Sequence, residues 1–262
     1  MKNKYLFLRR FFQLLILFLF TYKGADFVLK GNLNSSILFN TIHLSDPFAY
    51  LQILLASLSL NAELLISAFL IFILYAVFLG RAFCAYVCPV NLITDFASFI
   101  HSKGNFKKLT NFSKNTRYFI LLSILVLSFI LNEPIFEKIS YIGIITRGII
   151  FFQISAIYVA ILIFLLDLFM QKNLVCSHLC PLGAFYSLIS RFAILKIDYD
   201  VNKCSKCLKC KAVCPENQVL SMIGKNSESV KSGECIRCAR CIEVCNDDAL
   251  NFNLINMIKG KK

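Results

Sequence analysis

The chain has 262 residues, 58% of them hydrophobic, with 26 Phe and no Trp. So large an apolar excess exceeds what a single soluble core of this size buries, and it points to lipid. The formal charge of +13 is spread along the chain beside apolar runs, a pattern of retention at an anionic membrane face that argues against nucleic acid as a partner.

Residues 5–22 form the first predicted span, from whose start Arg9 and Arg10 would snorkel to the headgroups. Residues 48–60 are apolar but short, and Gln52, Ser57 and Ser59 interrupt them; they read as interfacial or re-entrant. Residues 64–83 are uncharged until Arg81 and make the second span, and residues 118–136, with Glu133 and Pro134 at the far end, make the third. The clearest span is residues 149–170: its 22 residues at ~1.5 Å each reach about 33 Å, against a hydrocarbon core of roughly 30 Å.

Basic residues set the orientation. Lys2, Lys4, Arg9 and Arg10 precede the first span, and Arg81, Lys103, Lys107, Lys108, Lys114 and Arg117 lie between the second and third, so these segments face the cytoplasm. Lys23 and Lys30, then Lys138 and Arg147, are balanced by Asp26, Asp46, Glu133 and Glu137 and face outward. Four spans return both termini to the cytoplasm, where thiols stay reduced. The expected location is therefore a bacterial inner (cytoplasmic) membrane, crossed several times.

Two short motifs recur after the second and fourth spans: Cys84-x3-Cys88-Pro89 and Cys176-x3-Cys180-Pro181. Each unit of this internal repeat is a pair of spans ending in Cys-x3-Cys-Pro. A continuous helix would put both cysteines on one face, whereas the proline disfavours helix in the residue before it and can start a new helix. Metal ligation, a redox thiol pair, a link between a membrane site and the tail, and plain apolar packing of free Cys all remain open.

From Asp198 the chain turns polar and cysteine-rich, with a domain boundary near Leu195. The expected fold is an α-helical membrane protein with four transmembrane helices over residues 1–195, followed by a small α+β two-cluster ferredoxin-like domain over residues 196–262. The tail carries Cys204-x2-Cys207-x2-Cys210-x3-Cys214-Pro215 and Cys235-x2-Cys238-x2-Cys241-x3-Cys245, and this spacing is that of bacterial ferredoxin runs. Three thiolates at two-residue gaps wrap three corners of a [4Fe-4S] cube, and the fourth must come from elsewhere. By resemblance to two-cluster ferredoxins, Cys204, Cys207 and Cys210 pair with Cys245, and Cys235, Cys238 and Cys241 pair with Cys214. Two structural zinc sites are the competing reading, but two identical four-cysteine runs are not typical zinc spacing. Asn246 stands where proline usually follows the last cysteine. Lys203, Lys206, Lys209, Lys211, Arg237 and Arg240 surround the runs, either as a solvated face, as a dock for an acidic partner, or to raise the cluster potentials.

With spans, paired Cys-x3-Cys-Pro motifs and a two-cluster tail in that order, the chain resembles the NapH family over nearly its full length. The resemblance implies a quinol dehydrogenase component that draws electrons from menaquinol or ubiquinol and passes them to a periplasmic iron–sulfur partner of NapG type, and onward to nitrate reductase. The matching positions are Cys84, Cys88, Cys176 and Cys180 for the paired motifs and the eight tail cysteines for the clusters. Larger proteins sharing these motifs act in copper handling during cytochrome oxidase assembly and in nitrous oxide respiration. They imply an alternative function here, an iron–sulfur membrane reductase in metal handling or respiratory-enzyme assembly, though this chain is too short for their extra domains.

Quinol oxidation needs a proton acceptor, and Asp167 lies inside the fourth expected span, where a carboxylate must face protein or water, or else mark a helix end at the interface. Cys84, Cys88, Cys176 and Cys180 are the other catalytic candidates. His43, Asp46 and Glu133 on the outer side and His101 and His178 on the inner side are weaker proton carriers, each also explicable as structural.

Overall fold

The computed structural model describes residues 4–22, 29–31, 35–38, 42–58, 61–104 and 112–253. Lys2, Lys23, Asp26, Ser59, Lys107 and Lys108, which carried part of the span and charge argument, lie outside the described residues. The chain divides into two compact units, one drawn from Gln13–Ile73 and Cys88–Phe185, the other from Met1–Phe12, Leu74–Val87 and Tyr186–Lys262.

The first unit is mostly helical. It holds the second half of α1 (Lys4–Thr21), a three-stranded antiparallel meander of β1 (Leu29–Gly31), β2 (Ser35–Leu38) and β3 (Ile42–Ser45), then α2 (Pro47–Ser57) and α3 (Ala62–Ile73). After α4 (Phe83–Tyr86), which belongs to the other unit, it resumes with α5 (Val90–Gly104), α6 (Thr116–Leu131), α7 (Ile135–Ile139), α8 (Tyr141–Phe151) and α9 (Ser155–Phe169). The meander was not expected: its strands are only three and four residues long and carry no clean alternation.

Helix α2 starts where Asp46 accepts the Phe48 N–H at 3.4 Å and Pro47 presets the first helical φ. At 11 residues it is about 16 Å long, too short to cross a bilayer. Its polar residue turns inward. Gln52 is fully buried and accepts the Phe136 N–H at 2.9 Å, while Phe48, also fully buried, meets the rings of Phe136 and Phe185, each at 5.4 Å. The stretch expected at an interface thus plugs the core of its unit.

The span expected at residues 149–170 is not one helix. Phe152 takes the left-handed conformation (φ 53°), and the chain turns through Gln153, whose N–H reaches back to the Gly148 carbonyl at 3.0 Å. Helices α8 and α9 then pack together at Gly148 and Ala156, where a Cβ on Gly148 would stand 2.1 Å from the Ala156 methyl carbon. Among the described residues one helical run, Ala62–Tyr86, is long and apolar enough to cross a membrane; α2, α6, α8 and α9 are apolar but shorter. That run is not uniform. It passes from α3 into a π-helical stretch at Leu74–Leu79 and a 3-10 turn at Gly80–Ala82 before α4.

The second unit contains the tail. After α10 (Pro181–Ile189), which begins in the first unit, β4 (Lys196–Tyr199) lies between β5 (Glu228–Ser229) and β6 (Leu250–Asn253), antiparallel to both. Period-two alternation sends Ile197 and Tyr199 inward, onto Val219, Leu220, Ile223, Val230 and Leu250. Short helices α11 (Lys209–Val213) and α12 (Arg240–Glu243) begin inside the two cysteine runs. The π-helical stretch leaves the Val77 carbonyl available to the Ile194 N–H at 2.7 Å, and Tyr75, Phe83 and Tyr186 pack ring to ring beside it. Arg9, expected to snorkel, is instead 2% exposed within this unit.

Gly148→Val overpacks the α8–α9 contact. Thermal unfolding in detergent should show a loss of about 1–3 kcal/mol, and an unchanged midpoint would mean the contact is not tight.

Candidate functional site

The tail brings its eight cysteines together as two quartets. Cys204, Cys207, Cys210 and Cys245 line one recess, with about 300 Å³ of empty space, beside Tyr199, Ile223, Val244 and Leu250. Cys214, Cys235, Cys238 and Cys241 line another, with about 330 Å³, beside Ile197, Val219, Leu220 and Ile236. In each, three thiols come from one run and the fourth from the other. Asp247, two residues past Cys245, accepts both the backbone N–H of Ser205 at 2.9 Å and its hydroxyl at 2.5 Å, which fastens the end of the second run to the start of the first. These two hydrogen bonds hold the Asp247 carboxyl below the usual carboxylate range. All twelve cysteines are free thiols. Among the described residues no three His, Cys, Asp or Glu side chains converge on a point suited to a single ion; the quartets open around space instead.

The quartets differ in cover. Cys207 is exposed and Cys204 and Cys245 half-buried, whereas Cys235, Cys238 and Cys241 are all buried. Burial pushes the Cys235 thiol up to about 11 and raises Cys214, Cys241 and Cys210 as well. What encloses the second quartet is the segment around the first Cys-x3-Cys-Pro motif. Arg81 Nη1 donates to Glu216 Oε1 at 3.0 Å and to the Glu234 carbonyl at 3.1 Å, and both side chains of the ion pair are 2% exposed. Gly80, at φ +55°, makes room for Arg237: a Cβ there would lie 1.7 Å from the guanidinium. Arg237 Nε donates to the Leu195 carbonyl at 2.6 Å, and its Nη atoms donate to Cys235 and Ser190 carbonyls, both at 3.3 Å. Ala85, Ile236 and Cys238 form one buried cluster on which Cys84 and Tyr86 pack. Arg237, one of the basic residues around the runs, is therefore interior, which removes it from a solvated face or a docking surface.

The four cysteines of the paired motifs are divided between the units. Cys84 packs as just described. Cys88, Cys176 and Cys180 belong to the helical unit, where the Tyr141 hydroxyl sits among them without a hydrogen bond of ordinary geometry. Cys176 donates to Thr94 Oγ1 at 3.7 Å, and Cys180 Sγ accepts the Gly183 N–H at 3.3 Å. The prolines act as helix starters: Cys180 is extended (ψ 110°), α10 begins at Pro181, and α5 begins just after Pro89.

Asp167 is fully buried in α9. Its Oδ1 accepts the Val175 N–H at 3.0 Å, pinning the π-helical turn Val175–Leu179 that carries Cys176, and its Oδ2 has no hydrogen-bond partner among the described residues. The weaker candidates have structural partners. His101 Nδ1 contacts the Leu168 carbonyl at 2.8 Å, and buried His178 contacts Gln171 at 3.1 Å. Asp46 caps α2, and Glu133 pairs with Lys138 at 2.5 Å on the surface. His43 stands exposed on β3 opposite Ile37. Sequence reasoning counted Arg81 and Arg117 only as topology charges. Both are buried, Arg117 donating to the Ser177 carbonyl inside the second motif at 3.2 Å. For Arg81 the available signal was its position three residues before Cys84 in an otherwise uncharged stretch; for Arg117, beside Lys114, the sequence offered none.

Comparison with known proteins finds iron–sulfur families over the same stretches of chain. A family model described as a 4Fe-4S dicluster domain matches residues 196–246, and one described as a 4Fe-4S binding domain matches twice, at residues 61–107 and 152–198, one match over each Cys-x3-Cys-Pro motif. The chain is 38% identical over 259 residues to the ferredoxin-type protein NapH of Haemophilus influenzae, covering 96% of this chain and 90% of that one. It is 33% identical to NapH of Escherichia coli (95% and 89%), and 34% identical to the methylamine utilization ferredoxin-type protein MauN of Paracoccus denitrificans (79% and 75%). No solved structure matches the chain.

Arg81→Ala strands Glu216 in the interior, and denaturant unfolding of the tail-bearing unit should register a loss of about 3–5 kcal/mol. The raised thiols hold protons at neutral pH that bound iron must displace, so iron retention by reconstituted protein should fall as pH falls. Iron content across a pH series checks the sign, and retention that rises in acid would contradict it.

Proposed function

Because the chain belongs to the NapH family of ferredoxin-type proteins, an iron–sulfur electron-transfer family, we propose that it takes electrons from a quinol in the bacterial inner membrane and passes them through two [4Fe-4S] clusters. Their destination is a periplasmic nitrate reductase, reached through an iron–sulfur partner of NapG type. The observation that carries this reading is the pair of recesses, each lined by four thiols in crossed pairing. Cys204, Cys207, Cys210 and Cys245 hold one cluster; Cys214, Cys235, Cys238 and Cys241 hold the other. A bound cluster supplies one-electron redox capacity, which a two-electron donor such as quinol requires in a pair.

The chain's own residues then have distinct tasks. Thiolates grip iron, and the Arg81–Glu216 pair with Arg237 fixes the loops of the second quartet. Asp167, with one oxygen committed to Val175 and one unsatisfied, is the proton acceptor for quinol. The membrane reading, four crossings with both termini cytoplasmic, is supported by apolar side chains left outside the unit, among them Phe119, Leu122, Phe129, Ile157, Ile161 and Leu162.

A second reading, a reductase in metal handling or enzyme assembly, is favoured by the gathering of Cys88, Cys176 and Cys180 around Tyr141. Metal bound beyond the iron of the tail would mark it.

Anaerobic EPR with a reduced menaquinone analogue, with dithionite as the full-reduction control, tests the proposal. Cluster signals should develop with quinol; signals developing with dithionite alone would count against quinol as donor. Asp167→Asn keeps an oxygen for Val175 but removes the carboxylate. It should slow quinol-driven reduction by roughly 10²-fold or more, the usual size of a lost acid–base group, with iron content intact; unchanged rates would remove Asp167 from the site.

A further inference from the structure

The two cysteine runs are sister copies of one backbone shape. In residues 204–210 and 235–241 positive φ falls at the same two places: Lys206 (59°) and Leu208 (57°) in the first, Arg237 (53°) and Ala239 (60°) in the second. A short helix follows each. Only the covering differs. Ile236, Arg237 and Ala239 are buried, beneath Gly80, Ala85 and Tyr86 and against the carbonyls of Ser190 and Leu195. In the first run the equivalent face is bare: Ser205, Lys206, Cys207, Leu208 and Lys209 are all exposed. Leu208, where the sister run has Ala, is 51% exposed among lysines.

We propose that this bare face, with Lys203, Lys206, Leu208 and Lys209 around Cys207, is the docking surface for a soluble acidic electron-carrier protein. The carrier covers the first quartet as the 80–86 segment covers the second. The inference rests on the cluster reading above and adds the chemistry of the partner. Lys203, Lys206 and Lys209 are exposed and Lys211 half-buried, and the Asp247 carboxylate near them is already engaged by Ser205. The face therefore attracts an anionic partner and steers its approach. Leu208 supplies the apolar centre inside a charged rim, the usual anatomy of a protein interface. The sister run shows what such a cover must offer a cation at this position, since Arg237 is satisfied by oxygen acceptors. A second copy of this chain, at +13, is the wrong sign. The exposed Cys207 brings the first quartet to the surface at this face.

The test titrates a small acidic flavodoxin onto the cluster-loaded full chain in nanodiscs of zwitterionic lipid, reading equilibrium binding and, by stopped flow, one-electron transfer from clusters pre-reduced with dithionite and freed of its excess to the oxidised flavodoxin. Raising ionic strength from about 0.01 M to about 1 M shrinks the screening length from about 30 Å to about 3 Å, and both readouts should fall roughly tenfold or more. Lys203→Glu with Lys206→Glu should weaken both, with iron content, the dithionite-reduced EPR signal and reoxidation by a small neutral oxidant unchanged. A variant that binds the carrier as the parent does overturns the proposal. So does a loss confined to binding of anionic vesicles, which would make the face a membrane contact, or a loss confined to self-association. If the chain takes up no clusters the cluster reading fails by itself, and salt-dependent carrier binding to the metal-free chain, abolished by the charge variant, still decides the surface.

Discussion

The Arg81–Glu216 ion pair is the contact on which the tail's arrangement depends. Withdrawing two charges from water costs several kcal/mol per ion and is offset only where further hydrogen bonds complete the geometry. They do so here: Arg81 also holds the Glu234 carbonyl, and Gln218 bridges Glu216 and Glu234 at 2.8 and 2.7 Å. Position 81 is three residues from Cys84, position 216 two past Cys214, and position 234 one before Cys235. A single buried network therefore sets the register between the end of an apolar helical run and two separate parts of a cysteine quartet. A pair of well-packed hydrophobic residues would not fix that register so narrowly, because apolar contacts are non-directional.

From that enclosure follows the inequality of the two quartets. Their local backbones match, down to the pairs of left-handed residues at the same places. Yet one is walled by apolar side chains and the other opens to solvent through Cys207. Solvent exposure and hydrogen bonding to sulfur are levers on cluster potential, so duplication followed by one-sided covering turns two identical motifs into two unlike carriers. Residues that differ between the copies match the covering: Ile236 against Ser205, Ala239 against Leu208.

What was legible in the sequence was whatever depends on spacing. The two four-cysteine runs of the tail follow from spacing, and the change to a polar, cysteine-rich composition follows from the sequence itself. The kink before each motif was half-legible, since the prolines announced new helices but nothing announced the π-helical turns ahead of them. What was not legible depended on tertiary partners. Residues 149–170 carry the length and hydropathy of one span, and hydropathy does not register that Gly148 lets Ala156 approach closely enough to fold the segment into a hairpin. Arg9, Arg81, Arg117 and Arg237 were read by charge alone. A guanidinium presents five donors, and where enough oxygen acceptors converge it is buried rather than solvated.

The paired Cys-x3-Cys-Pro motifs illustrate the same limit at the level of chemistry. In sequence they are equivalent and look like two ligand pairs. In the fold Cys84 and Cys88 belong to different compact units, whereas Cys176 and Cys180 share one. The proline explains how: by forcing its preceding cysteine out of the helix and opening a new one, it allows the chain to leave one unit and enter the other within four residues. The first motif thus contributes Cys84 to the wall of the enclosed quartet and Cys88 to the thiols around Tyr141. The second, pinned by Asp167 at Val175 and by Arg117 at Ser177, stays wholly with the latter. A repeat that began as two like halves has come to serve two places, and the buried charges beside each half, rather than the cysteines themselves, record which place each serves.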